Sequence, residues 1–337
     1  MVPALPDPQH FPARFIFSRF PIMPSSPISP HSEYFRPEAL KRIHKLELRA
    51  RFIMEGLLSG RHKSPFFGQS LEFAQHRQYA AGDDLRRIDW KVWGRQDRFF
   101  VKQYEDETNL RAALLVDCSR SMHYSRSPES MTKFDYAATL AVSIAWQLLR
   151  QQDTVGGFCF DSQIRQIIPQ RTNRNHLNSL IQALETIGPQ DKTAHGKDPG
   201  TDQTDLGSVL LQAAETFPKR GLICLFSDLF TPRPSLWKGL KLLRSRGHDI
   251  LVFHILDDDE LEFTFQGPTR FVGLEGPSTL RCNPRALRDG YLEAMSEFLD
   301  EIRHGCAANR TDYALVRTSD PFDQTLSGTL LKRRHCP

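Results

Sequence analysis

Several absences narrow the possibilities before any motif is read. The six cysteines, Cys118, Cys159, Cys224, Cys282, Cys306 and Cys336, form no C-x-x-C pair, which excludes a zinc ribbon and a disulfide scaffold. Several lie inside apolar runs, where a reduced thiol acts as a small hydrophobe. No uncharged apolar run is long enough to cross a bilayer; the longest, residues 136–149, reads as a buried helix. With 44 Lys+Arg against 40 Asp+Glu, the net charge of +4 lacks the surplus that marks a nucleic-acid binder. Phosphate-loop spacing, a dinucleotide fingerprint and Ser-His-Asp or Cys-His arrangements are all missing. The expectation is a reducing, cytoplasmic setting, with 337 residues enough to bury a large core without staples.

Proline is unevenly spread. Residues 1–37 hold nine of the 22 prolines and no lysine, so they read as a disordered Pro-rich tail. Pro21, Pro24, Pro27 and Pro30 break any signal-peptide core. A second segment, 38–110, opens with one helix carrying Leu40, Ile43, Leu46, Ala50, Ile53 and Leu57 on a stripe, and Lys41, Arg42, Lys45, Arg49 and Arg51 on its other faces. A basic face can meet an acidic partner or a membrane. Packing of the stripe onto the main domain, with the charges solvated, is the simpler expectation.

Residues 111–334 alternate short apolar runs with helical patterns. Strands are expected at 112–116, 155–160, 164–168, 222–226, 250–256 and 313–317. Helices are expected at 134–150, 176–187, 206–217, 236–246, 284–308 and 322–331. Strands apolar throughout and separated by helices predict a doubly wound α/β fold, its mostly parallel sheet covered on both faces. Gly156 and Gly157 inside a strand predict a bulge or a close backbone approach.

Ligands of such a sheet gather beyond the carboxyl ends of its strands. Asp117, Ser119 and Ser121 follow the first buried strand; Ser227 and Asp228 follow a later one; Thr204 and Asp205 precede the helix near Leu206. Short oxygen-bearing side chains from three stretches suit a small hard cation, since magnesium takes six oxygens and keeps several waters. Ser119 and Ser121 can aim two hydroxyls at one point, and Thr204 a third, while Asp117 and Asp228 supply charge, mostly through water. The competing structural reading makes Asp117 and Ser119 turn caps and Thr204 or Asp205 a helix cap, and leaves the Asp117–Asp228 pairing without a purpose.

The D-x-S-x-S of Asp117, Ser119 and Ser121, the T-x-x-G of Thr204 to Gly207 and the later Asp228 resemble the metal-ion-dependent adhesion site of von Willebrand factor A domains. The resemblance implies Mg2+ (or Mn2+) as cofactor and a partner Asp or Glu as its incoming ligand. The stretch from Phe73 to Arg95, with Gly82-Asp83-Asp84-Leu85-Arg86-Arg87-Ile88-Asp89-Trp90 at its centre, resembles the signature of a bacterial family catalogued as domain of unknown function 58. Lys102-Gln103-Tyr104-Glu105, Ser227-Asp228-Leu229-Phe230 and Thr318-Ser319-Asp320-Pro321-Phe322 fit it too. That resemblance spans about residues 60–334. It implies a von Willebrand A-like protein encoded beside a MoxR-type AAA+ ATPase and acting with it in a chaperone-like or cofactor-insertion role. The Pro-rich N-terminus has no counterpart in the pattern.

Arg77, Arg86, Arg87, Lys91, Arg95 and Arg98 interleave with Tyr79, Trp90, Trp93, Phe99 and Phe100, as in single-strand nucleic-acid binders. Asp83, Asp84, Asp89 and Asp97 would repel phosphate, so packing comes first and partner docking second. A magnesium-dependent haloacid-dehalogenase-like phosphotransferase would use Asp117 as nucleophile. It needs a second acidic residue where this chain has Ser119. A non-catalytic protein-binding module is therefore expected. Asp257-Asp258-Asp259-Glu260 has the composition of a calcium loop, but a solvated acidic turn is the expectation. His195 and His248 read as structural.

Overall fold

The computed structural model describes residues 35–59, 75–78, 99–103, 110–187, 206–267, 269–272 and 279–332. Residues 1–34 of the expected tail, most of the 77–98 segment, Thr204 and His195 lie outside the described residues.

Six strands form the central sheet: β3 (Arg111–Asp117), β4 (Thr154–Phe160), β5 (Ile164–Arg171), β6 (Leu222–Ser227), β7 (Asp249–Leu256) and β10 (Asp312–Arg317). Their spatial order is β10-β7-β6-β3-β4-β5; all neighbours pair in parallel except β5, which runs antiparallel to β4. Counted from β3, this is the doubly wound order 3-2-1-4-5-6, with strand order reversing between β3 and β6. The expected fold class is observed. Two antiparallel strand pairs, β1 (Gln75–Gln78) with β2 (Phe100–Gln103) and β8 (Thr269–Val272) with β9 (Thr279–Cys282), form separate two-stranded sheets.

The apolar strands are buried on both faces because side chains alternate between two cores. Ala112, Leu114, Val116, Cys224, Phe226, Leu251 and Phe253 point into one. Ala113, Leu115, Ile223, Leu225, Ile250 and Val252 point into the other. The first core is covered by α2 (Leu46–Ser59), α3 (Lys133–Arg150), α4 (His176–Ile187) and Phe322 and Leu326 of α9 (Phe322–Lys332). The second lies under α5 (Leu206–Thr216), α6 (Arg233–Ser245) and the far end of α8 (Pro284–Ala308). Helix α3 brings ten apolar residues between Phe134 and Leu149 to its core, which is why residues 136–149 carry no charge.

Gly157 marks a close approach and a break in register: a Cβ there would fall on the carbonyl of Leu114, and the β4–β5 pairing shifts between Val155 and Gly157. Both alternatives foreseen for the glycine pair are thus realised.

The expected single helix through residues 40–57 is instead two, α1 (Pro37–Lys41) and α2, separated by residues 42–45. The stripe survives the break, since Leu40, Leu46, Ala50 and Ile53 are all buried in the main core. A distant residue stabilises the restart: the N–H of Leu46 donates to Glu185 Oε1 of α4 at 3.4 Å. Such an N-terminal cap has no local signal. Packing, the simpler expectation, accounts for this helix face.

The acidic run is not the expected solvated turn. Asp257 caps α7 (Asp258–Glu262) in a reciprocal capping box with Glu260, and Asp257, Asp258 and Asp259 are buried. Asp257 Oδ2 accepts from Thr318 at 2.8 Å, Asp259 Oδ2 from Tyr124 at 3.0 Å, and Arg317 donates to Asp258 at 3.2 Å. Each carboxylate is therefore committed to the fold rather than to calcium.

Candidate metal centre at the strand-order reversal

The crevice between the carboxyl ends of β3 and β6 is where this topology gathers a ligand. Asp117 ends β3, in register with Phe160 of β4, whose carbonyl takes the next N–H, from Cys118, at 2.7 Å. The chain then leaves the sheet. Asp117 Oδ1 accepts from the Ser119 N–H at 2.9 Å, and a 3-10 turn at Arg120–His123 follows, pinned by fully buried Met122. The Ser119 hydroxyl makes no capping bond to that turn; it lies 3.1 Å from the Ser121 hydroxyl. Asp117 thus does serve as a turn cap, as the structural reading had it, but the two serines pair with each other.

Strand β6 delivers the other half. The Ser227 hydroxyl donates to Asp117 Oδ2 at 2.6 Å and accepts the Leu229 N–H at 3.0 Å, so the two strand ends are bonded directly. Leu229 takes a left-handed conformation, φ 57°, uncommon for a branched residue and confined to this tight turn. The turn aims the carboxyl of Asp228 inward, where it is 2% exposed. Its carbonyl accepts from His254 Nε2 at 2.9 Å, while His254 Nδ1 accepts from the Tyr313 hydroxyl at 2.8 Å. Only this tautomer satisfies a carbonyl, and burial, opposed by the nearby Asp228, holds the His254 pKa down at about 4.

The third stretch enters through α5. The Leu206 N–H donates to Thr231 Oγ1 at 3.4 Å, tying the start of α5 to the turn after β6. Gly207 permits the approach: a Cβ there would sit 2.7 Å from the Ser235 carbonyl oxygen of α6. The glycine of T-x-x-G therefore serves helix packing.

Electrostatics separate the two aspartates. Among the described residues no basic side chain bonds to Asp117. Burial pushes its pKa up to about 7, neighbouring Asp228 pushes the same way, and hydrogen bonds from Ser227 and Ser119 oppose them. Asp228 instead meets Lys133, whose Nζ lies 2.9 Å from Asp228 Oδ2 and 2.6 Å from Glu260 Oε1. The Lys133 side chain is wholly buried and sits 5.3 Å from the Phe230 ring centre. Neither Lys133 nor Glu260 was foreseen as part of this site. The sequence signal is slight: a lysine at the head of a long, mostly apolar helix.

These residues fit a magnesium-type ion. Asp117, Ser119 and Ser121 present only oxygen, two of them neutral hydroxyls, and the unpaired buried carboxylate is a place where positive charge is favoured. Among the described residues no three His, Cys, Asp or Glu side chains gather as a metal cluster. Asp117, Ser119, Ser121 and Asp228 are brought to one edge; Thr204 is outside the described residues.

Residues 75–298 match the family described as Protein of unknown function DUF58. Uncharacterized proteins of Mycobacterium bovis and Mycobacterium tuberculosis are 25% identical over 276 residues, covering 81% of this chain and 83% of theirs. Among solved structures, the conserved hypothetical protein BatB from Bacteroides thetaiotaomicron aligns with TM-score 0.42 and 16% identity, over 67% of this chain and 100% of that one. The SpRpn10 VWA domain aligns with TM-score 0.33 and 12% identity, over 67% and 95%.

Proposed function

This chain belongs to the DUF58 family, and from that premise and the geometry at the β3–β6 crevice we propose that it is a metal-dependent protein-binding module without catalytic activity of its own. The observation that carries the reading is the joining of Asp117, the 3.1 Å Ser119–Ser121 hydroxyl pair and Asp228 at the point where strand order reverses. Asp117, Ser119 and Ser121 would hold Mg2+ or Mn2+, with Thr204 and Asp228 completing the set. When bound, the cation supplies an electrophilic point for a carboxylate, so the matching partner offers an Asp or Glu side chain.

The chain's own residues shape that point. The 3-10 turn holds the two hydroxyls together, and Ser227 fixes the Asp117 carboxyl. The motif resemblance implies a MoxR-type AAA+ ATPase as working partner, in a chaperone-like or complex-maturation role, and the cysteine usage favours the cytoplasm as the setting. Among the described residues no helix is long and apolar enough to cross a membrane, and Cys118, Cys159, Cys224 and Cys306 are buried. The phosphotransferase alternative gains no supporting observation, since Ser119 occupies the position of the required acid.

The test is co-purification with the neighbouring ATPase in magnesium and in EDTA. Capture is expected in magnesium and lost in EDTA and in Asp117→Ala. Capture that survives both treatments undiminished contradicts the mechanism.

A further inference from the structure

Asp228 already carries a cation of the protein's own. Its carbonyl is held by His254, its Oδ1 accepts the Phe230 N–H at 3.3 Å, and its Oδ2 is bonded to Lys133. Glu260 alone, 2.6 Å from the Lys133 Nζ, would give the lysine a counter-ion, and Glu260 is anchored by the capping box of α7. A lysine serving only to secure α7 has no need of a second carboxylate. That it also reaches into the crevice, wholly buried, places it between the acidic helix and the Asp117–Asp228 pair.

We infer that Lys133 is a positioning residue that holds Asp228 back from direct coordination and thereby makes the site select magnesium over calcium. The inference rests on the metal-site reading above and goes beyond it. Calcium takes six to eight oxygens and favours carboxylates that bind through both oxygens, whereas magnesium keeps several waters and needs few protein ligands. With Asp228 tethered through Oδ2, the direct donors among the described residues are one carboxylate and two hydroxyls. Releasing Asp228 adds a carboxylate, which favours the larger ion. The same tether keeps negative charge off the cation and leaves it receptive to an outside carboxylate.

The experiment is calorimetric titration of the full chain with Mg2+ and with Ca2+, in wild type, Lys133→Met, Lys133→Arg and the double variant Lys133→Met/Glu260→Gln. The double variant removes one charge of each sign and spares Glu260 an unpaired burial. Lys133→Met and the double variant are each expected to raise calcium affinity roughly tenfold or more, narrowing or inverting the preference, since a carboxylate is released toward a divalent charge. Lys133→Arg is expected to restore the wild-type preference. A structural role alone would weaken both metals together, and that result in folded variants overturns the inference, as does an unchanged preference. A wild-type chain that binds neither ion overturns the metal-site reading itself, an outcome distinct from failure of the Lys133 assignment alone.

Discussion

Two neighbouring strand ends solve the same problem differently. β3 and β6 each deliver a buried aspartate to the same crevice. Asp228 is met by a buried lysine, while among the described residues Asp117 is met by the hydroxyl of Ser227, by Ser119 and by the repulsion of Asp228. The first has a cation of the protein's own; the second has none among the described residues. The contrast teaches that burial by itself does not identify a binding position. What identifies it is a desolvated carboxylate left without the counter-ion its neighbour has received.

The sharpest way to break this comparison is Lys133→Ala. It leaves Asp228 and Glu260 buried without their cation, and removing one partner of a buried pair costs about 3–5 kcal/mol. Urea unfolding in EDTA measures it, and a loss below about 1 kcal/mol would mean the pair is solvated, as surface pairs are.

Asp117→Asn acts on the other strand end and carries a pH signature. Its folded pKa lies near 7, above the ordinary carboxylate value, so the folded state holds this proton more tightly than the unfolded chain. The stabilising effect of that proton is fully present below about pH 4 and is lost as pH rises toward about 7. Asn cannot ionise. In metal-free buffer the variant should therefore gain on wild type across that window, by on the order of 2–4 kcal/mol. Added magnesium should shrink the gap by favouring the ionised wild-type carboxyl. Thermal melts at both pH limits, with and without the ion, read this directly, and a pH-independent difference would contradict the account.

Gly157→Ala probes the sheet body that both ends share. The added methyl meets the Leu114 backbone, which cannot swing aside as a side chain can, and overpacking of this kind costs about 1–3 kcal/mol. Denaturation midpoints should fall while metal affinity holds. A larger effect on metal than on stability would show the strand ends to be less independent of the body than they look here.

Much of this was legible in the sequence because long-range order here has local signatures. β6 is buried at every position and reads as a continuous apolar run; α8 begins at Pro284 after the Asn283 cap, as the sequence suggests. Asp117, Ser119 and Ser121 fall within one turn, so their convergence is a matter of spacing. Lys133 was not legible, because its partners Asp228 and Glu260 lie 95 and 127 residues away. The break at residues 42–45 was hidden for the same reason, its cap coming from Glu185. The helix at Asp257–Glu262 is a different case. Aspartate followed three residues later by glutamate is a capping-box pattern, and it was passed over for the run's acidity.

The central claim is that Asp117 and the paired serines form a divalent-ion site. Manganese binding followed by electron paramagnetic resonance tests it most directly, comparing wild type with Ser119→Ala/Ser121→Ala. The account predicts one ion bound per wild-type chain and loss of that ion in a variant that keeps its fold. Equal binding by the two proteins, or none by the wild type, would contradict it.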